Sequence, residues 1–208
     1  MTNPDLRHIA VVLDRSGSMH SVRSDTEGGL KAFLDAQREA PGQTTVSLYT
    51  FDDRYEVVYE NKPLAEVPAF TLEPRGMTAL LDAVGRTVTA VGEQLDAKPA
   101  DERPGEVVVV ILTDGHENKS REWTREQVKA LTRRKEKEHG WTFVFLGADQ
   151  DAFAAAGGIG IGESTTLSYS GTRTKAAVTN AGRMVSRGTA TGVYAFTDDE
   201  RDESDETT

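Results

Sequence analysis

The chain has 208 residues, a formal net charge of −10 and no cysteine. That length supports one well-buried core and little more. The lack of cysteine excludes a disulfide framework and any Cys-based zinc or redox site. The excess of acid disfavours nonspecific binding to nucleic acid or to an anionic membrane. Much of it is local, because residues 198–206 hold seven acids and one arginine, a net of −6, which leaves −4 for the rest. The longest apolar run, Val107 to Leu112, is the size of a strand and far short of a membrane span. The opening MTNPDLRHIA lacks the basic start and apolar stretch of a signal peptide, so a cytoplasmic location is expected.

His8 to Leu13 is a continuous apolar run rich in Ile and Val, the pattern of a strand buried on both faces. It ends in Asp14-Arg15-Ser16-Gly17-Ser18. Leu30, Phe33, Leu34 and Gln37 then recur at helical spacing until Pro41-Gly42. Thr44–Phe51 and Tyr55–Glu60 predict two strands, and the short gap between them predicts a hairpin whose second strand lies antiparallel at a sheet edge. Gly76-Met77-Thr78 opens a helix with Leu80, Leu81, Val84, Val88, Val91 and Leu95 on its buried face. Asp96 to Gly105 is a loop, and Glu106 to Thr113 the most apolar strand, closed by Thr113-Asp114-Gly115. Thr124 and Gln127 fit a capping box for a helix running to Gly140. Trp141–Leu146 is a strand; an Ala-rich helical turn, a glycine-rich loop over Gly157–Gly162 and a strand at Thr165–Tyr169 follow. A last helix is expected over Thr174–Arg187. One domain is expected over residues 1–197, and from Asp198 the acidic tail (198–208) should be disordered, having little to bury.

Strands that alternate with helices define an α/β, doubly wound, mostly parallel sheet covered on both faces. Such a sheet carries its ligands outside the carboxyl ends of the strands, at the switch in strand order. Asp14, Ser16 and Ser18 alternate on the loop after the first strand. Thr78 adds a hydroxyl from the start of a helix and Asp114 a second carboxylate from the end of another strand. Carboxylate and hydroxyl oxygens are hard ligands that suit Mg²⁺, Mn²⁺ or Ca²⁺.

Asp14-x-Ser16-x-Ser18, Gly76-x-Thr78 and Thr113-Asp114-Gly115, in that order, resemble the metal-ion-dependent adhesion site (MIDAS) of von Willebrand factor A domains. The resemblance spans about Arg7 to Arg187. It implies a Rossmann-like six-stranded sheet ordered 3-2-1-4-5-6 with strand 3 antiparallel. It also implies that Ser16, Ser18 and, in the ligand-bound state, Thr78 hold a divalent metal directly, with Asp14 and Asp114 acting through water or hydrogen bonds. It further implies a module that binds a protein partner and is not an enzyme. The stand-alone intracellular bacterial members of that family serve as adaptors, some beside AAA-type ATPases or in stress-resistance systems. An open coordination position selects an Asp or Glu of the partner. Arg15, Arg75 and His116 are candidates for a cationic rim around it.

Other chemistries find less support. A haloacid-dehalogenase-type phosphatase needs an acid two residues after its nucleophile, where this chain has Ser16. No Gly-x-Ser-x-Gly elbow occurs, and the four histidines are scattered. A metal-dependent phosphoester hydrolase using Asp14 or Glu117, and a scaffold with a vestigial metal site, are the two alternatives.

Overall fold

The computed structural model describes residues 2–148 and 151–205. Six strands form one sheet in the order β3-β2-β1-β4-β5-β6. They are β1 (Asn3–Asp14), β2 (Gln43–Phe51), β3 (Tyr55–Pro63), β4 (Pro104–Thr113), β5 (Thr142–Ala148) and β6 (Thr166–Tyr169). All neighbours pair in parallel except β2 and β3, which form the antiparallel edge hairpin. This is the doubly wound arrangement expected.

Strand β1 sits between β2 and β4, with Ile9 beside Val46 and Val108. Its side chains alternate between the two faces, as the two-residue period of a strand requires. Ile9, Val11 and Leu13 join the layer formed with α1 (Arg23–Arg38) and α5 (Thr174–Thr191). Ala10 and Val12 join the layer formed with α2 (Leu80–Asp96) and α3 (Arg125–His139). Both layers are essentially sealed from water, and each fully buried Val, Leu or Ile contributes roughly 1.5–3 kcal/mol. The helical stripes read from sequence are the buried faces: Leu30, Phe33, Leu34 and Gln37 on α1, and Leu80, Leu81, Val84, Val88, Val91 and Leu95 on α2. Thr124 and Gln127 form the expected capping box of α3, and Gly140 closes that helix in the left-handed conformation.

Boundaries differ in three places. β1 begins at Asn3, earlier than its apolar run, because Asn3 pairs with Pro104 and Leu6 with Gln43. The short helix α4 (Ala152–Gly158) takes in Gly157 and Gly158 from the expected loop. Helix α5 continues to Thr191, where Gly192 ends it in the left-handed conformation.

The expectation of a disordered tail is corrected over its described part. Asp198–Asp205 forms a helix, α6, and residues 206–208 lie outside the described residues. Thr197 and Glu200 make a reciprocal box: Glu200 N donates to Thr197 Oγ1 at 3.2 Å and Thr197 N donates to Glu200 Oε2 at 2.9 Å. Three acids in the first turn favour the positive end of the helix dipole. Docking is polar. Arg187 donates to both oxygens of Glu200 at 2.8 and 2.9 Å, and Arg201 donates to the Thr166 and Glu163 carbonyls. Glu200 and Ser204 are buried. Counting apolar residues misjudged this segment because charge-assisted hydrogen bonds hold it.

Candidate metal centre

The loops that follow β1, β2 and β4 meet the N-terminus of α2 at the carboxyl end of the sheet. Backbone hydrogen bonds lace them together. Arg15 N donates to Phe51 O at 2.8 Å, Gly17 N to Gly76 O at 3.2 Å, and Arg75 N to Arg15 O at 2.7 Å. Ala79 N donates to Asp52 O, and Asn118 N to Thr78 O. Thr78 N in turn donates to the Asn118 side chain at 3.0 Å. The segment carrying Thr78 is thus fastened to all three strand loops.

Within this frame Asp14 is fully buried. One carboxylate oxygen accepts from Ser16 N at 2.6 Å and the other from Thr113 Oγ1 at 2.6 Å. Ser16 Oγ lies 3.0 Å from Ser18 Oγ, and Ser18 Oγ donates to Asp114 Oδ1 at 2.6 Å. Gly115 shows how Thr78 joins them. A Cβ at residue 115 would stand 2.8 Å from Thr78 Oγ1 and 3.6 Å from Ser18 Oγ. The absence of that carbon leaves a cradle of oxygens. All five residues expected from sequence are therefore brought together. Gly76 holds the second loop in place with φ at +71°, and a Cβ there would collide with the Asp53 carboxylate.

Burial pushes the Asp14 carboxyl up to about 6, against the opposing hydrogen bonds from Thr113 and Ser16, with Asp114 adding a smaller push in the same direction. A buried carboxylate beside a second one, with hydroxyls at hydrogen-bond distance of both, is an arrangement that a divalent ion would suit. The donors are all oxygens, the set that Mg²⁺ and its hard relatives accept. Both Asp14 oxygens are engaged by Thr113 and Ser16, which suits a carboxylate that supplies charge and orients hydroxyls.

The cationic rim is corrected. Arg15 is buried, not outward-facing. Its Nη1 donates to Glu56 at 2.7 Å, and its Nε and Nη2 lie at ion-pair distance from Asp52 and Glu56 without hydrogen-bond alignment. Arg75 donates to Asp52 and Glu56 at 2.8 and 2.7 Å. The two arginines, Arg15 foremost, hold the Glu56 carboxyl down to about 2. Two cations and two acids thus cancel, and the cluster braces the first and second loops against the β2–β3 hairpin. His116 is exposed, near Arg125, Leu80 and Leu81.

Several supporting residues went unrecognised in the sequence. Asp52, fully buried, anchors Arg15 and Arg75 and accepts from Arg54 N at 2.6 Å. Asp82 accepts from the backbone N–H groups of Arg121, Glu122 and Trp123, each at 2.9 Å. Glu117, considered as a catalytic base, accepts from Leu81 N, Lys119 N, Ser120 N and Ser120 Oγ. A carboxylate with four local donors is a loop staple and is poorly placed to take a proton from water.

No family model matches this chain, and no curated relative does. Solved structures do. Proximal thread matrix protein 1 from the mussel byssus superposes with a TM-score of 0.59 at 20% identity, over 87% of this chain and 46% of that one. A further structure of that protein, described with a zinc-occupied MIDAS motif, gives 0.61 at 18% identity, over 89% and 46%. The von Willebrand factor type A protein of Catenulispora acidiphila gives 0.57 at 15% identity, over 89% and 43%. The chain spans about half the length of these neighbours. With its strand order and the antiparallel β3, it folds as a von Willebrand factor A domain.

Proposed function

We propose that the chain is a metal-dependent protein-binding module in which Mg²⁺, or Mn²⁺ or Ca²⁺, engages an Asp or Glu of a partner protein. The observation that carries this reading is the oxygen cradle: three hydroxyls and two carboxylates from three separate loops, linked by hydrogen bonds through Ser16, Ser18 and Thr113, with Thr78 and Ser18 facing the missing Cβ of Gly115. The zinc-occupied motif of the mussel neighbour supports a divalent ion at that position. Ser16, Ser18 and Thr78 would hold the ion, with Asp14 and Asp114 supplying charge. When bound, the ion supplies a positive centre with open coordination positions for an anionic oxygen.

The paired state of Arg15 and Arg75 shifts this reading in one respect. Attraction of an acidic group rests on the ion, because the adjacent arginines are already neutralised. Hydrolysis finds no support, since Glu117 is spent on the loop and both Asp14 oxygens accept internal hydrogen bonds. With Mg²⁺ or Mn²⁺ present, phosphoesters and nucleoside triphosphates should be turned over no faster than background. A partner is a protein of the same compartment, with AAA-type ATPase assemblies and stress-resistance complexes the first to examine. Among the described residues no helix is long and apolar enough to cross a membrane.

The test is capture of partners from the native host. Chelator and Thr78→Ala should each release the same partner. Retention of that partner through both treatments would place the interface elsewhere on the domain.

A further inference from the structure

Beside the metal centre lies a cavity of about 380 Å³, bounded on one side by Ala79, the residue after Thr78. Its floor includes the rings of Phe51 and Tyr55, and Arg54, Lys119 and Arg121 stand on its wall. These three differ from Arg15, Arg75 and Arg86. Arg15 and Arg75 are matched to Asp52 and Glu56, and Arg86 to Glu122 at 2.9 Å. The side chains of Arg54, Lys119 and Arg121 make no hydrogen bond or ion pair among the described residues.

Their backbones, by contrast, are fixed. Arg54 N donates to Asp52, Lys119 N to Glu117 and Arg121 N to Asp82, at 2.6, 2.9 and 2.9 Å. Each carboxylate that positions a cation is saturated by other donors as well. The acids therefore set the loops without neutralising the side chains they present. With Arg86 matched to Glu122, two carboxylates, Asp53 and Asp82, remain on the wall against three cations, a net of +1. On a chain of net charge −10, this is a local reversal of sign within one residue of a proposed metal ligand.

We infer that this cavity is a second recognition subsite, which takes an additional carboxylate from the same partner segment whose first acid reaches the metal. The inference rests on the metal-dependent binding proposed above and narrows the partner to one with a run of acidic residues. Charge complementarity selects the occupant. Loops already held in place lose little freedom on binding, so the contacts act on affinity and not only on encounter.

The test uses two acetylated, amidated tetrapeptides, Asp-Glu-Glu-Glu and Asp-Ala-Ala-Ala, titrated by NMR into the full chain with saturating Mg²⁺. Mg²⁺ affinity is measured first, on its own. The four-acid peptide should bind about tenfold more tightly than the one-acid peptide. The combination Arg54→Ala, Lys119→Ala and Arg121→Ala should abolish that difference while leaving Mg²⁺ affinity unchanged. A control, Arg133→Ala, Arg134→Ala and Lys137→Ala, removes three exposed cations from α3 and gives the same net charge; it should keep the difference. Equal affinities for the two peptides in the parent, or the same loss in the control, would overturn the subsite while metal binding stands. Failure of Mg²⁺ itself to bind would remove the metal reading and this inference together.

Discussion

At the residue scale the site depends on what is absent as much as on what is present. Gly115→Ala puts a carbon 2.8 Å from Thr78 Oγ1 and 3.6 Å from Ser18 Oγ, two of the hydroxyls proposed to hold the ion. We expect it to weaken Mg²⁺ binding at least tenfold, read by calorimetry, with the far-ultraviolet circular dichroism unchanged. Undiminished binding would show that the ion does not sit in that cradle. His8 offers a second residue-scale test, away from the metal. It is buried, its Nδ1 lies 2.9 Å from Thr45 Oγ1, and its Nε2 has no partner among the described residues. Burial pulls its pKa from 6.5 down to about 4, with Lys98 adding to the fall. The folded state therefore excludes a proton that the unfolded state accepts. The stabilising contribution of neutral His8 is complete above pH 6.5 and is lost as pH falls toward 4. Denaturant unfolding should show the parent losing up to about 3 kcal/mol more than His8→Gln over that window. Parallel curves would contradict this. Asp14 acts in the opposite sense in the metal-free protein, because its raised pKa makes its penalty fade as pH drops from about 6 toward 3.8. That opposition is why the comparison is made against the His8 variant.

At the scale of elements, the strands, the edge hairpin and the helix stripes were legible because hydrophobic period and turn residues carry them directly. The five oxygen donors were legible too, since a motif in order on three strand-end loops constrains their meeting point. What surrounds them was not. Whether Arg15 faces solvent or Asp52 depends on a contact across 37 residues, and no local pattern encodes it. Asp52 passed as part of a hairpin gap, yet it stands at the carboxyl end of β2, the same sheet edge that bears Asp14 and Asp114. Helix α6 was missed for a different reason. Its composition is that of a disordered segment, while Thr197-x-x-Glu200 is a capping box spelled out in the chain. Deleting residues 198–208 removes the pairing of Arg187 with Glu200 and the Arg201 bonds to the β6 region. It should lower the Tm by roughly 5 °C or more, given about 1–3 kcal/mol for each unmade buried bond. Glu200→Ala alone should account for about half of that. An unchanged Tm after truncation would show that α6 is not docked in solution.

At the scale of the molecule, the sheet places the oxygen cradle and the cavity beside it at one end. The hydrophobic layers on both faces are closed, so the loops at the carboxyl end are free to be polar and to meet there. Two kinds of surface result side by side: an oxygen cradle that would attract a cation, and a cavity whose wall carries three cations with no side-chain partner among the described residues. A partner with neighbouring acids complements both once the ion is bound, and without the ion it meets the cradle's own two carboxylates. Chelation should accordingly change affinity for such a partner more steeply than it changes the stability of the fold.

The account stands on the metal, and calorimetric titration of the full chain with Mg²⁺ tests it most directly. One site is predicted in the parent. Mg²⁺ at about 100 times its Kd should add about 2.7 kcal/mol of stability and raise the Tm by roughly 5–10 °C. Asp114→Ala, and Ser16→Ala combined with Ser18→Ala, should each lose the heat of binding and the rise in Tm while keeping the parent's circular dichroism. Equal binding by the parent and these variants would contradict the assignment of the cradle as a metal centre.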